Sequence, residues 1–289
     1  MKALAGFYYV DTGGATYQCR ARGIFKKDGV TPLVGDLVRI EIQDEEEGVV
    51  DEIFPRKNAF IRPPVANIDL FIVTVAAKEP EPSFEIIDRF LVTAEAAGAD
   101  ACICINKDDL SPLLARKIAS VYSGLYPAVV LSAIAGDGIS DLRRRIAGKS
   151  AAFAGASGVG KTSLIALLTG NGRLETGGVS AKTGRGRHTT RHVEIFKLPD
   201  GTRMYDTPGF TSFEATEASD LAGVDLSALF PEFQDHLGSC RFKDCRHENE
   251  PDCAVQKALA QGTIKRTRYD SYLKLLHSKQ EQESERQNF

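Results

Sequence analysis

The sequence has no tryptophan, two methionines, five histidines and six cysteines among 289 residues. Six cysteines in a chain this long do not make a disulfide scaffold. Clustered cysteines in a reducing compartment read first as metal ligands. Long hydrophobic runs are missing too: the best, Ile68–Ala77, is stopped by Lys78, well short of the ~20 residues that span a bilayer. The short apolar stretch Ala3–Val10 meets Asp11 with no small-residue cleavage pattern. A secretory leader is therefore not expected, and a cytosolic protein without membrane association is. Neither sign of charge is in large excess. With 36 basic and 39 acidic residues and a net charge of −3, the chain is no polycation, so contact with nucleic acid would need local basic patches. A 43% hydrophobic and 26% charged composition excludes a disordered or collagen-like chain. No internal repeat is present.

What is there divides in three. Residues 1–62 read as all-β: Gly6–Thr12 and Ala15–Arg22 flank the turn Gly13-Gly14, and Leu37–Ile42 and Gly48–Phe54 follow. Several short strands in so few residues predict a small barrel. The OB-fold is the commonest such module, with an SH3-like barrel as the alternative. Residues 63–218 alternate between apolar runs and helical spacing. Strands are expected at Ile68–Ala77, Ala101–Ile105, Ala128–Leu131, Ala151–Ala154 and Arg203–Tyr205. Helices are expected at Phe84–Ala97, Leu113–Tyr122, Ile139–Ile146 and Ser163–Leu168. This alternation predicts a doubly wound parallel sheet. Residues 219–289 carry a Cys/His cluster and then a charged, mainly helical tail, with Gln280–Phe289 expected to fray.

The strongest local pattern is Gly155-Ala156-Ser157-Gly158-Val159-Gly160-Lys161-Thr162, a full G-x-x-x-x-G-K-[ST] phosphate loop between a predicted strand and a helix. Its glycines let backbone N–H groups converge on phosphate oxygens. Lys161 neutralises β/γ charge and is a candidate catalytic residue, Thr162 can ligate Mg²⁺, and Ser163 opens the helix. Asp206-Thr207-Pro208-Gly209 would be a plain turn by itself. Beyond a phosphate loop, Asp206 stands where a second Mg²⁺ contact is needed, and Gly209 can donate its N–H to a γ-phosphate.

Asn106-Lys107-Asp108-Asp109 ends a predicted strand and resembles the guanine-reading N-K-x-D motif. The Asp109 carboxylate would accept from guanine N1–H and N2–H₂, donors that adenine does not offer there. Ser132-Ala133 resembles the companion base loop. These base motifs precede the phosphate motifs, the reverse of the usual order in GTPases. The same sheet can form if a chain is cut and rejoined elsewhere, so the sequence looks like a circularly permuted GTPase.

Between the phosphate loop and Asp206 lies a glycine-rich segment, Gly177–Thr190, basic at Lys182, Arg185, Arg187 and the following Arg191. Thr189 or Thr190 could reach nucleotide and Mg²⁺ there, as in a γ-phosphate-ordered switch; a solvated basic linker is the alternative. Cys240, Cys245, His247 and Cys253 fall within fourteen positions. Three thiolates and one imidazole make a closed tetrahedral set, which predicts one structural Zn²⁺. Cys19, Cys102 and Cys104 are expected to be core residues.

With these motifs, the sequence resembles the ribosome small subunit-dependent GTPase A (RsgA) family over essentially its whole length. The most specific stretches are Gly186–Thr190, Asp206–Phe210, Cys240–Val255 and Arg268-Tyr269-Asp270-Ser271-Tyr272. The resemblance implies a GTP/GDP-binding enzyme with Mg²⁺ and one Zn²⁺. It also implies action in late maturation of the small ribosomal subunit, contact with its rRNA and activation by the subunit. A monomer is expected. Phe210 stands where many GTPases place a water-orienting glutamine, and a phenyl ring can neither donate nor accept. His188 is the candidate that positions the water instead, with a loop or RNA contact as its alternative role. Two other functions compete: a nucleotide-gated RNA-binding adaptor with little hydrolysis, and a P-loop kinase or ATPase, against which Asp109 counts.

Overall fold

The computed structural model describes residues 3–4, 7–27, 29–61, 63–170, 193–206 and 223–287. The N-terminal strands are β1 (Ala3–Leu4), β2 (Phe7–Asp11), β3 (Thr16–Ala21), β4 (Val38–Ile42) and β5 (Glu47–Ile53), with a short helix α1 (Gly23–Lys27) between β3 and β4. They form one sheet in the order β1-β2-β3-β5-β4, with β3 and β5 parallel and the other neighbours antiparallel. A five-stranded, partly open sheet of this order, with its helix between the third and fourth strands, is an OB-type barrel. Its inner face holds Cys19 and Val50, both buried.

A small ribbon, β6 (Ala59–Phe60) with β7 (Val65–Ala66), joins the barrel to the next layer. The joint is narrow. Ala66 N–H donates to the Val34 carbonyl (2.9 Å) and the Asn67 amide to the Gly35 carbonyl (3.0 Å). A Cβ at Gly35 would lie 2.2 Å from the Ala66 carbonyl oxygen, so only glycine lets the two backbones approach this closely.

The central sheet comprises β8 (Leu70–Ala76), β9 (Asp100–Asn106), β10 (Ala128–Val130), β11 (Ser150–Ala154), β12 (Glu194–Lys197) and β13 (Arg203–Asp206). Their order is β10-β9-β8-β11-β13-β12. Every pairing is parallel except that of β12 with β13. The antiparallel edge strand β12 departs from the all-parallel expectation; its four residues are too short for a periodic signal. Every residue of β8 and β11 is buried, as expected of strands covered on both faces.

Helices α2 (Phe84–Ala97) and α3 (Pro112–Tyr122) share one face with a core built on Phe71, Val73, Leu91 and Ile118. Helices α4 (Ile139–Ile146) and α5 (Lys161–Thr169) cover the other, over Ile72, Cys102, Cys104 and Leu164. The winding direction reverses between β8 and β11. In such sheets ligands bind at the strands' carboxyl ends at that switch point.

The third part is built from two 3₁₀ turns (Leu226–Leu229 and Pro231–His236), α6 (Ala254–Ala260) and α7 (Arg266–Gln287). Its own core contains Phe230, Phe233, Val255 and Tyr272, and it also takes in Val92 from α2. Helix α2 is thus packed between the sheet and α7. The tail expected to fray continues as helix to Gln287.

Candidate functional site

All the parallel strands point their carboxyl ends the same way, so the base and phosphate motifs meet on one rim despite their reversed order. One side chain joins them. Asn106, at the end of β9 and 2% exposed, donates from Nδ2 to the Val159 carbonyl in the phosphate loop (2.9 Å). Its Oδ1 accepts from the Ala133 N–H in the companion loop (3.0 Å). Gly160 has φ +96, and a Cβ there would lie 2.3 Å from Asn106 Nδ2. A Cβ on Gly155 would lie 2.1 Å from the Thr74 carbonyl oxygen of β8. Both glycines are therefore required by close approach as well as by turn geometry.

Lys161, the first residue of α5, is buried and donates to the carbonyls of Gly155 (2.7 Å) and Ala156 (2.8 Å). Its ammonium thus spans the loop it follows. Burial lowers its pKa to about 8, against the opposing pull of Asp206. A bound phosphate would favour the charged form. Thr162 and Ser163 are half-buried in the first turn of α5, directly after Gly160, where backbone N–H groups have no intrahelical partner. Ser157 and Gly158 form the exposed tip of the loop, and Asp206 ends β13, half-buried.

On the base side, Ser132 donates from Oγ to Asp109 Oδ1 (2.5 Å) and accepts from the Ala135 N–H (3.1 Å). Asp109 itself is exposed. Lys107 sits at φ +62 and donates from Nζ to the Glu79 carbonyl, and the Asp108 N–H donates to the Leu131 carbonyl (3.2 Å). A carboxylate held by a buried hydroxyl at a loop tip is an acceptor fixed in place for a planar donor edge. His188, Thr189, Thr190 and Gly209, singled out in the sequence, lie outside the described residues, as does Phe210.

Away from this rim, the atoms of Cys240, Cys245, His247 and Cys253 that could bind a metal all lie within 4.8 Å of one another. Cys240 Sγ is 3.9 Å from Cys253 Sγ and 3.5 Å from His247 Nδ1, and His247 Nδ1 is 3.4 Å from Cys253 Sγ. A tetrahedral Zn²⁺ site has edges of roughly 3.8 Å between sulfurs and roughly 3.5 Å between sulfur and nitrogen, given its bond lengths. The residues therefore fit a closed zinc site with His247 bound through Nδ1. Burial lowers the His247 pKa, which favours the neutral imidazole that a metal needs. The Ala254 N–H donates to Cys240 Sγ (3.3 Å), a contact that stabilises thiolate.

Comparison with known proteins agrees with this geometry. The family model described as RsgA GTPase matches residues 53–216, and the RsgA N-terminal domain matches residues 1–50. The chain belongs to the RsgA GTPase family. A relative from Caldanaerobacter subterraneus subsp. tengcongensis, named small ribosomal subunit biogenesis GTPase RsgA, is 45% identical over 99% of this chain and 96% of its own length. A relative of the same name from Carboxydothermus hydrogenoformans is 45% identical over 96% of this chain and 95% of its own. Among solved structures, YjeQ from Thermotoga maritima superposes with a TM-score of 0.76 at 34% identity, covering 95% of both chains. YloQ, described as a circularly permuted GTPase, gives 0.74 at 34% identity, covering 97% of this chain and 93% of that one. The reversed motif order of this RsgA-family chain is thus the order of its fold.

Sequence reasoning missed a buried ionic cluster in which Arg268 of α7 pairs with Asp88 of α2 and with Glu232. Arg268 was visible only within a family-like stretch, and a lone Asp in an amphipathic helix carries no signal of its own.

Proposed function

We infer that this RsgA-family chain is a GTP-hydrolysing factor for biogenesis of the small ribosomal subunit, with GTP held across the rim of the central sheet. The observation that carries it is Asn106, one buried amide bonded to both the phosphate loop and the companion base loop. Such a bracket ties guanine recognition to phosphate recognition. The relatives' shared name supplies the process, and the adaptor alternative is not favoured.

In this proposal, Asp109, set by Ser132, selects guanine, because adenine would leave a carboxylate without donors. Asn106, Lys107, Asp108 and Ala133 hold that loop. Gly155 to Ser163 cradle the phosphates, and Lys161 stabilises charge that develops on the β–γ bridge. Thr162 and Asp206, with Thr190 from the basic segment, would hold Mg²⁺, which neutralises β- and γ-phosphate charge when bound. Gly209 would contact the γ-phosphate. His188, with Thr189 beside it, would position the attacking water, a role left open by the carbon-only side chain of Phe210. Cys240, Cys245, His247 and Cys253 would hold a structural Zn²⁺. The functional division proposed is 1–62, 63–218 and 219–289. The chain would act as a cytoplasmic monomer whose partner is the small subunit and its rRNA.

The test is GTP turnover with and without purified small ribosomal subunits. Stimulation by about tenfold or more is expected. Turnover that ignores the subunit would remove the activated-GTPase reading, and equal displacement of labelled GTP by ATP would remove Asp109 as the base reader.

A further inference from the structure

The stretch Arg268-Tyr269-Asp270-Ser271-Tyr272 follows the last of the nucleotide motifs by some sixty positions, and the function above does not use it. Four of its five side chains, all but Asp270, are nevertheless buried. Arg268 is completely buried. It donates from Nη1 to Asp88 Oδ1 of α2 (2.6 Å) and from Nε and Nη2 to the two carboxylate oxygens of Glu232 (2.6 and 3.0 Å). Tyr122 of α3 donates to the same Asp88 oxygen (2.8 Å). The guanidinium lies 4.7 Å from the Phe230 ring centroid. One side chain therefore clamps α2, α7 and the 231–236 turn together. Burial pushes the Asp88 carboxyl up, against the pull of Arg268.

Burying such charges is a poor route to stability, since well-packed apolar groups do as well or better. What the arrangement does supply is geometry: a planar fork admits one relative placement of two carboxylates. Next to Arg268 on α7, Tyr269 donates to the His247 carbonyl (2.6 Å) and Tyr272 to the Arg246 carbonyl (2.7 Å). These carbonyls belong to the Cys/His loop, and His247 sits there at φ +61. Helix α7 is thus fastened to the candidate zinc loop and to α2 within five residues.

The N-terminal end of α2, five residues before Asp88, reaches the nucleotide loops. Its N-cap is Ser83. Just before it, the Glu79 carbonyl accepts from Lys107 of the base motif. Pro80 Cδ stands 3.7 Å from where a Cβ on Gly158 would be. Between Ile86 and Phe90 of α2, the prolines and the phosphate loop lies a cavity of about 200 Å³, lined also by Val159. Close packing opposes movement, whereas this gap leaves α2 room to shift against the phosphate loop.

We propose that Arg268, with Asp88 and Glu232, is a positioning unit through which the zinc-bearing domain sets α2, and through α2 the loops that hold guanine and phosphate. In this proposal the C-terminal domain is the part that meets the small subunit, and α7 transmits that engagement to Glu79, Pro80 and the nucleotide site. The unit rests on the function inferred above and names how its regulation is wired.

The experiment compares full-length wild-type protein with Arg268→Lys and Tyr122→Phe. Zinc content, GDP affinity, basal GTP turnover and turnover against small-subunit concentration are measured for each. Lysine keeps the charge but cannot bridge two carboxylates as a fork. In Arg268→Lys, zinc content stays at the wild-type level, and GDP affinity and basal turnover stay within about twofold. The maximal subunit-stimulated rate falls about tenfold, with the half-saturating subunit concentration little changed. Tyr122→Phe, which keeps the ionic cluster and loses one hydrogen bond, shows a drop of about threefold. Undiminished stimulation in Arg268→Lys, or in Tyr122→Phe should the first variant not fold, would overturn the positioning unit. Equal losses of basal and stimulated turnover would overturn it as well, since they indicate damage to the site itself. Wild-type protein that the subunit does not stimulate would instead overturn the functional reading on which the unit rests.

Discussion

At the scale of single residues, the proposed nucleotide site depends on buried polar side chains that each serve two partners. Asn106 serves two loops at once, and Ser132 is at once acceptor for a backbone N–H and donor to Asp109. Burial makes the charge of Lys161 sensitive to pH. Its pKa of about 8 lies below the ordinary lysine value, so the free site loses its proton as pH rises through 8. A bound phosphate holds the proton, hence binding takes one up in that range and weakens above it. Between pH 7 and 8.5 the affinity for GDP should fall about fourfold. With no tryptophan in the chain, a fluorescent guanine nucleotide is the probe for this titration. A flat profile over that interval would show that Lys161 stays charged in the free protein.

At the scale of elements, the six cysteines separate into two sets by their neighbours, three in apolar cores and three around His247. Cys102 and Cys104 lie on β9 beneath α4 and α5, and burial pushes the Cys102 thiol up to about 11 and that of Cys104 higher still. Cys19 is enclosed in the barrel. Their thiolates are scarce at neutral pH, and access is closed. The other three converge with His247 beneath Phe233 and Tyr272, whose rings pack at 5.0 Å. Native alkylation at pH 7.5, read by mass spectrometry, should modify none of the six while the metal is bound. After a strong chelator, Cys240, Cys245 and Cys253 should react and the other three stay protected. Reaction of all three ligand cysteines without a chelator would refute a bound structural metal.

At the scale of the whole molecule, the permuted order places the Cys/His part after β13, and α2 packs against α7 as a second connection. Residues 207–222, which carry the chain from the phosphate rim to that part, lie outside the described residues. A GTP-dependent shift at the rim should therefore alter how the molecule meets its partner. Small subunits should retain about fivefold more protein with a non-hydrolysable GTP analogue than with GDP. Retention should also weaken steeply with salt if basic segments meet rRNA phosphates. Co-sedimentation in both nucleotide states checks this, and equal retention would remove the switch.

How much of this was legible beforehand follows from the range of each interaction. The phosphate loop, the N-K-x-D stretch and the Cys/His cluster are each complete within a few consecutive positions, because phosphate, guanine and metal impose local spacings. The buried strands β8, β9 and β11 were equally legible, since a strand covered on both faces must be apolar throughout. By contrast, β12 and α1 are short and lack a periodic signal, and only pairing in the sheet or packing in the barrel makes them elements. The sequence by itself thus determined which chemistry the chain carries and in what order. Tertiary structure decided that Asn106 should bracket a loop more than fifty residues later in the chain. It also decided that Asp88 and Arg268, 180 positions apart, should neutralise each other in a shared interior. A buried polar group must find its partner wherever the fold brings one, and no local pattern records that partner.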